Sequence, residues 1–146
     1  MIAVQYPKPI FKTKQEPYGL AIFDELRKVW LKLTPEEWVR QNFVQYLLQQ
    51  MQYPSSLIAL EKQIVLGELT KRFDILVYDR NYNPWMMVEC KEMNVDLGEK
   101  VLLQLLRYNI SIPVKYLVIT NGNDCIAYRR GENRLFQLDE IPVYNQ

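Results

Sequence analysis

A short apolar run near the C-terminus limits the folds open to this chain more than any other feature. Residues 116–120 read YLVIT, and no charged or amide side chain interrupts them. A strand with one face in water alternates apolar and polar residues, whereas a continuous apolar run is typical of a strand covered on both faces. The sheet therefore needs helices on both sides, which predicts an α/β fold.

Two capping patterns predict those helices. Residues 34–37 (TPEE) supply an N-cap threonine, a proline at the first helical position and a capping-box glutamate, and this helix is expected to end near Gln52. Residues 96–99 (DLGE) form a second capping box, which begins a helix that runs to Ile110.

The remaining regular segments are predicted to be β-strands. They lie at residues 57–68, 72–78 and 84–91 between the helices, and at 116–120, 125–128 and 134–138 after them. The short runs 20–23 and 29–31 are either strands or irregular structure. A meander, a helix and then a buried strand predict a mixed central sheet flanked by helices. Residues 1–19 are predicted to be an extended N-terminal arm, and residues 20–146 a single domain.

Composition excludes several kinds of chemistry. The chain of 146 residues has no histidine, which removes histidine-dependent nucleophilic catalysis and histidine-ligated metals. Cys90 and Cys125 lie in apolar runs and are expected to be reduced core residues of a cytoplasmic protein. The N-terminus lacks the apolar region of a signal peptide, and no run is long enough to span a membrane. The net charge of +1 means that a nucleic acid partner would need a local basic patch.

Two carboxylates and a lysine are predicted to meet on one hairpin. If this hairpin is centred between Asn81 and Tyr82, residues whose numbers sum to 163 face each other, and Asp74 lies opposite Glu89. Lys91 shares the face of Glu89. Two carboxylates so close repel unless a cation lies between them, and Mg²⁺ prefers oxygen ligands. The alternative is a surface ion pair of Glu89 with Lys91, with Asp74 merely beginning its strand.

Polar residues on the two helices extend this hypothesis. Glu36 and Arg40 fall within the apolar arc of the first helix, so they form either an i,i+4 ion pair or a group directed at the carboxylate pair. Glu37 is interpreted as a capping residue. On the second helix, Gln104 and Tyr108 share a face, where they either hold a phosphate or a water or form the polar shoulder of a core helix.

Together, the motifs that contain these residues resemble those of a known protein family. The motifs that carry the resemblance occur in order at residues 34–41 (TPEEWVRQ), 72–79 (RFDILVYD), 88–91 (VECK), 104–108 (QLLRY) and 120–122 (TNG). They are similar to the N-terminal domain of the type I restriction enzyme R subunit, in its stand-alone form, which belongs to the PD-(D/E)xK nuclease superfamily. The resemblance covers roughly residues 18 to 144. Phe73 replaces the proline of the superfamily motif.

The resemblance implies a restriction-endonuclease-like core in the order α-β-β-β-α-β and a set of site residues. In the family pattern Asp74, Glu89 and the backbone carbonyl of Cys90 bind Mg²⁺, for which Mn²⁺ substitutes. Lys91 orients or activates the attacking water, Glu36 is an auxiliary acid, and Gln104 is an accessory catalytic residue. The candidates for contact with DNA are Arg40, Arg72 and Tyr108.

The implied function is Mg²⁺-dependent endonucleolytic cleavage of DNA, by a homodimer or within a larger restriction assembly. No G-x-x-x-x-G-K-[ST] loop occurs, so no nucleotide cofactor and no motor activity are expected of this chain. Two alternatives stay open. One is a catalytically inactive module of the same fold that binds DNA or a protein partner, and the other is a nuclease that acts on RNA.

Overall fold

The chain is described by a computed structural model that covers residues 1–109 and 113–144. Within these residues it forms two sheets and two α-helices. The strands and helices in chain order are β1 (Thr13–Glu16), β2 (Gly19–Asp24), β3 (Val29–Lys32), α1 (Pro35–Gln45), β4 (Ile58–Leu66), β5 (Leu69–Tyr78), β6 (Pro84–Cys90), α2 (Glu99–Asn109), β7 (Tyr116–Thr120), β8 (Cys125–Arg130) and β9 (Leu135–Leu138). A π-helical segment, Tyr46–Gln50, continues α1, and a 3₁₀ turn, Ser55–Leu57, precedes β4.

The main sheet has six strands in the order β4-β5-β6-β7-β8-β9. β6 and β7 pair in parallel, and the other neighbours pair antiparallel. The parallel pair requires a crossover, which α2 provides. This mixed sheet confirms the predicted α/β class.

The helices cover opposite faces of this sheet. Phe43 of α1 packs in a cluster with Val118 of β7, whereas the neighbouring Ile119 belongs to a second cluster that includes Leu105 of α2. Val118 and Ile119 have no exposed surface. The apolar run of β7 is therefore buried on both faces, as predicted.

The first helix begins where its capping pattern predicts. The Thr34 hydroxyl accepts a hydrogen bond from the Glu37 N–H at 3.0 Å, and Pro35 is the first helical residue. The chain leaves helical geometry after Gln50, and Gln52 has a left-handed φ of 55°, which ends the segment near the predicted position. α2 begins at Glu99, two residues later than expected. Its predicted last residue, Ile110, lies outside the described residues.

The N-terminal region forms the smaller sheet, in which β2 pairs with both β1 and β3. The runs 20–23 and 29–31 are thus strands, and residues 13–16 of the predicted arm are a strand as well. The N–H of Ile2 donates to the Cys125 carbonyl at 2.8 Å. Cys90 and Cys125 are buried free thiols, in agreement with the prediction. None of the helices in the described ranges has the length and hydropathy needed to cross a membrane.

The core between α1 and the sheet is expected to dominate stability. Phe43 has no exposed surface, so Phe43→Ala should lower the free energy of unfolding by about 3–5 kcal/mol through reduced burial and a residual cavity. Leu103 of α2 is 48% exposed, and Leu103→Ala should cost no more than about 0.5 kcal/mol. Urea unfolding measures both, and equal losses would contradict this account of the core.

Candidate active site

The β5–β6 ladder places Asp74 and Glu89 at its end. The pairs Ile75–Val88 and Leu76–Met87 have residue numbers that sum to 163, so the predicted register is confirmed and Asp74 comes next, opposite Glu89. The Asp74 Oδ2 atom accepts a hydrogen bond from the Cys90 N–H at 2.8 Å. A side-chain carboxylate thus takes the place of a backbone carbonyl where the ladder ends.

Both carboxyl groups of this pair have raised pKa values. Burial, followed by the negative charge of Asp74 and a hydrogen bond between the two groups, raises the pKa of Glu89 to about 7, although Lys91 opposes this shift. Burial also raises the pKa of Asp74, against the lowering effects of the Cys90 N–H and of Arg40. Without a cation between them, the pair therefore retains a proton close to neutral pH.

A cleft beside this pair brings together residues of β6 and α2. Its cavity has a volume of about 630 Å³ and is lined by Arg72, Glu89, Lys91 and Gln104, with apolar walls from Val95, Val101 and Leu105. Glu89 and Lys91 alternate with the buried Val88 and Cys90, as the period-two pattern predicts. Gln104 thus shares a cavity with Glu89 and Lys91. The side chain of the predicted Tyr108 lies outside the described part of the chain.

A second cavity, of about 300 Å³, lies next to the first, since Arg72 and Glu89 line both cavities. Its other lining residues are Glu36, Arg40, Glu61 and Asp74. The first turn of α1 therefore reaches the carboxylate pair.

The two adjacent glutamates of α1 have different surroundings. Burial and then the charge of Asp74 raise the pKa of Glu36, while Arg40 and Lys91 act in the opposite direction. Glu36 is thus directed toward the carboxylate pair, which was one of its two predicted roles. Glu37 is buried, and its backbone N–H is capped by Thr34. Its carboxylate accepts a hydrogen bond from Gln41 at 3.0 Å and pairs with Arg40 at 3.3 Å.

Arg40 lies among carboxylates. The sequence predicted it as a contact for DNA, but its exposed fraction is only 7%. Its guanidinium nitrogens lie 3.3 Å from Glu37, 3.1 Å from Glu61 and 3.8 Å from Asp74. In this structure the guanidinium compensates the negative charge of the site. By contrast, Arg72 is exposed at the rim of the cleft.

Glu61 is a site residue that the sequence reasoning missed. Burial alone would raise its pKa, but Arg40, Arg27 and Arg72 together hold the pKa below its ordinary value. It lies within β4, at the register position opposite Asp74, yet has a φ of 49°. A non-glycine residue with this backbone conformation is strained, and such strain often marks functional sites.

One sequence signal could have located Glu61. Gly67, with a φ of 62°, lies in the turn between Leu66 and Leu69, which pair as the last residues of the β4–β5 ladder. A two-residue hairpin turn at this glycine fixes the register that places Glu61 beside Asp74.

The carboxylate pair offers oxygen donors suited to a hard cation. Across residues 1–109 and 113–144, no group of three or more His, Cys, Asp or Glu side chains is arranged to hold a metal. Asp74 and Glu89 supply two carboxylates, however, and the Cys90 carbonyl lies on the same strand edge as the N–H that faces Asp74. Mg²⁺ is usually held by one or two carboxylates and completes its coordination with water or phosphate oxygens. The donors present therefore fit this ion.

The raised pKa of Glu89 predicts a pH-dependent stability. Between about pH 4.5 and pH 7 the folded state holds a proton that the unfolded state has lost, so stability falls as the pH rises. The decrease for the wild type should be up to about 3 kcal/mol, and Glu89→Gln should remove much of it. Glu132→Gln, at an exposed position, is the control. Urea unfolding across this range, without divalent ions, measures the effect. Parallel curves for all three proteins would refute it.

Comparison with known proteins identifies the family. Residues 35–142 match the family described as the type I restriction enzyme R protein N terminus. The match includes α1, α2, the six-stranded sheet and the residues that line the cleft, whereas β1–β3 lie outside it. A search of curated proteins finds no match. Since the matched region is most of the chain, the protein belongs to the family of type I restriction enzyme R protein N-terminal domains.

Proposed function

We propose that this domain is a Mg²⁺-dependent DNA endonuclease with a restriction-endonuclease-like core, and that it acts within a restriction assembly. The observation that carries the proposal is that Glu89 lines one cavity with Lys91 and Gln104 and an adjoining cavity with Asp74. The family match supports a role in restriction and modification, and this role favours DNA as the substrate. An endonuclease of this kind needs no histidine, which agrees with the composition.

The carboxylate pair is proposed to hold the ion. Asp74 and Glu89, with the Cys90 carbonyl, would bind Mg²⁺ or, as a substitute, Mn²⁺. The ion, when bound, would polarise a phosphate oxygen and lower the pKa of water. Binding of the ion would also place positive charge between the two carboxylates, and the pair would then release the proton that it retains near neutral pH.

The other cleft residues have complementary roles. The Lys91 ammonium, on the face of Glu89, would donate hydrogen bonds to the attacking water or to a phosphate oxygen as negative charge develops there. The Gln104 amide would orient the same water from α2. Glu36, which lines the same cavity as Asp74, would accept the proton that the attacking water loses. Arg72 at the rim would contact the DNA backbone.

Loss of cleavage in two variants tests the proposal. Wild-type protein should nick or cut plasmid DNA with Mg²⁺ or Mn²⁺. Asp74→Ala and Lys91→Ala should each lower the rate by about 100-fold or more, since the first removes a carboxylate that would hold the ion and the second a cation that would stabilise charge in the transition state. Lys115→Ala removes an exposed lysine that does not line the cleft and should cut normally. Equal rates in all four proteins would contradict the proposal, and cleavage of RNA alone would change the substrate.

Metal binding can be measured independently of turnover. Calorimetric titration with Mn²⁺ should show binding to the wild type that weakens about tenfold or more in Glu89→Gln, because a carboxylate ligand is removed. Glu132→Gln should bind as the wild type does. Binding by this site without cleavage would favour the inactive module. Binding that is unchanged in Glu89→Gln would show that the carboxylate pair is not the metal site.

A further inference from the structure

The small sheet β1–β3 has an outer face with a distinct composition. In the register of the sheet, Lys14 of β1 and Lys32 of β3 flank Ala21, and Phe23 lies opposite Trp30. Lys12 joins this group because its carbonyl accepts a hydrogen bond from the Phe23 N–H at 2.9 Å. We refer to Lys12, Lys14, Lys32, Phe23 and Trp30 as the basic–aromatic face.

The opposite face of the sheet is already covered. Ile22 and Asp24 alternate with Ala21 and Phe23 along β2 and are buried. On the other face Ala21, which lies between Lys14 and Lys32, is also buried, whereas Phe23 is half-buried and Trp30 is exposed. The Asp24 carboxylate accepts a hydrogen bond from Gln41 of α1 at 3.1 Å. The sheet therefore packs on α1 through this side, which leaves the basic–aromatic face outward.

Two of the three lysines of the outer face lie over aromatic rings. The Lys14 ammonium lies 4.3 Å from the centroid of the Trp30 ring, and that of Lys12 lies 5.5 Å from the Phe23 ring. The two rings pack edge to face with centroids 5.3 Å apart. Cation–π contacts of this kind restrict the lysine side chains while their charges remain accessible to solvent. Glu16, also in β1, pairs with Lys14 at 3.1 Å.

The charge of the chain is unevenly distributed along the sequence. Residues 1–33 contain six basic and three acidic side chains, whereas residues 34–146 contain twelve basic and fourteen acidic ones. The N-terminal part is thus positive and the remainder slightly negative. A net charge of +1 therefore conceals a local basic surface of the kind that binding to phosphates requires.

We infer that the basic–aromatic face binds the sugar–phosphate backbone of duplex DNA. The inference deepens the proposed function, on which it rests. Lys12, Lys14 and Lys32 supply charges for phosphate contacts, which position a duplex without reading its sequence. A single strand would instead stack its bases on the rings. Two of the lysines already lie over those rings, so the face is suited to the backbone of a duplex.

The small sheet is fixed to the cleft by ion pairs. Arg27, in the turn between β2 and β3, lies 2.8 Å from Asp24 and 3.3 Å from Glu61. Glu61 in turn contacts Arg40 at 3.1 Å, and both line the cleft. A duplex held on the basic–aromatic face would thus be fixed relative to the carboxylate pair.

A binding experiment without divalent ions separates this inference from cleavage. Fluorescence anisotropy of a labelled duplex should show that the combined change Lys12→Gln, Lys14→Gln and Lys32→Gln weakens binding about tenfold or more. The slope of log K against log salt should become shallower by about 0.9 for each phosphate that the variant no longer neutralises. The same three positions changed to Arg should retain binding.

A matched control tests whether position or charge alone matters. Lys115, Arg129 and Arg134 also lie beside aromatic rings, those of Tyr116 and Phe136. Changing these three to Gln removes the same charge and should leave binding largely intact. Thermal melting establishes that each variant is folded.

Three results would overturn the inference. The first is that the lysine-to-glutamine variant binds the duplex with wild-type affinity. The second is that the control variant loses as much affinity as the lysine-to-glutamine variant does. The third is that the wild type binds a single strand more tightly than the duplex and that Trp30→Leu abolishes this single-strand binding. If the wild type still cuts DNA, these results leave the proposed nuclease intact. Conversely, lysine-dependent duplex binding by a protein that never cuts would support the inference while the proposed activity fails.

Discussion

The carboxylate of Asp74 is the constraint around which the site is organised. It accepts the Cys90 N–H at the end of the β5–β6 ladder and so lies beside Glu89 in a partly buried position. Two buried carboxylates in contact are unfavourable unless positive charge or a proton compensates them. Arg40 supplies part of that charge at 3.8 Å, and Glu89 keeps a proton to about pH 7. The negative charge of this carboxylate pair is therefore compensated only in part by the protein's own cations.

The need to compensate the negative charge of the carboxylate pair also explains the unusual backbone conformation of Glu61. In a regular strand this residue would pair with Asp74, but its left-handed φ interrupts the ladder. Its carboxylate instead contacts Arg27, Arg40 and Arg72. Hydrogen bonds between guanidinium and carboxylate groups are among the stronger ones in proteins, and the two from Arg27 and Arg72, with the ion pair to Arg40, can offset a strained residue. Glu61 thereby holds Arg40 near Asp74 and fastens the small sheet to the main one.

The sequence was sufficient for features that depend on local pattern. The position of the turn after Tyr78 predicted the register of Asp74 against Glu89, although the pairing shifts between Val77 and Tyr78. The apolar run of β7 required cover on both faces. Features that depend on several distant elements could not be predicted. The helical position of Arg40 places it within the apolar arc of α1, but it does not reveal the carboxylates on β4 and β5 that engage its guanidinium. The Glu37 side chain fitted a cap by spacing, but it pairs with Arg40 because that guanidinium is buried beside it.

The distribution of charge follows from the chemistry of a carboxylate site. Asp74, Glu89 and Glu36 lie together, and such a cluster repels the phosphate backbone that it would have to approach. Arg40 reduces this repulsion but is buried and engaged by acidic groups, so it is poorly placed to attract DNA from solution. Attraction then has to come from cations outside the cleft that are not occupied by its acids. The N-terminal region, which contains the small sheet, is positive, and the rest of the chain is slightly negative. This distribution allows both an acidic cleft and a basic surface outside it at a net charge of +1.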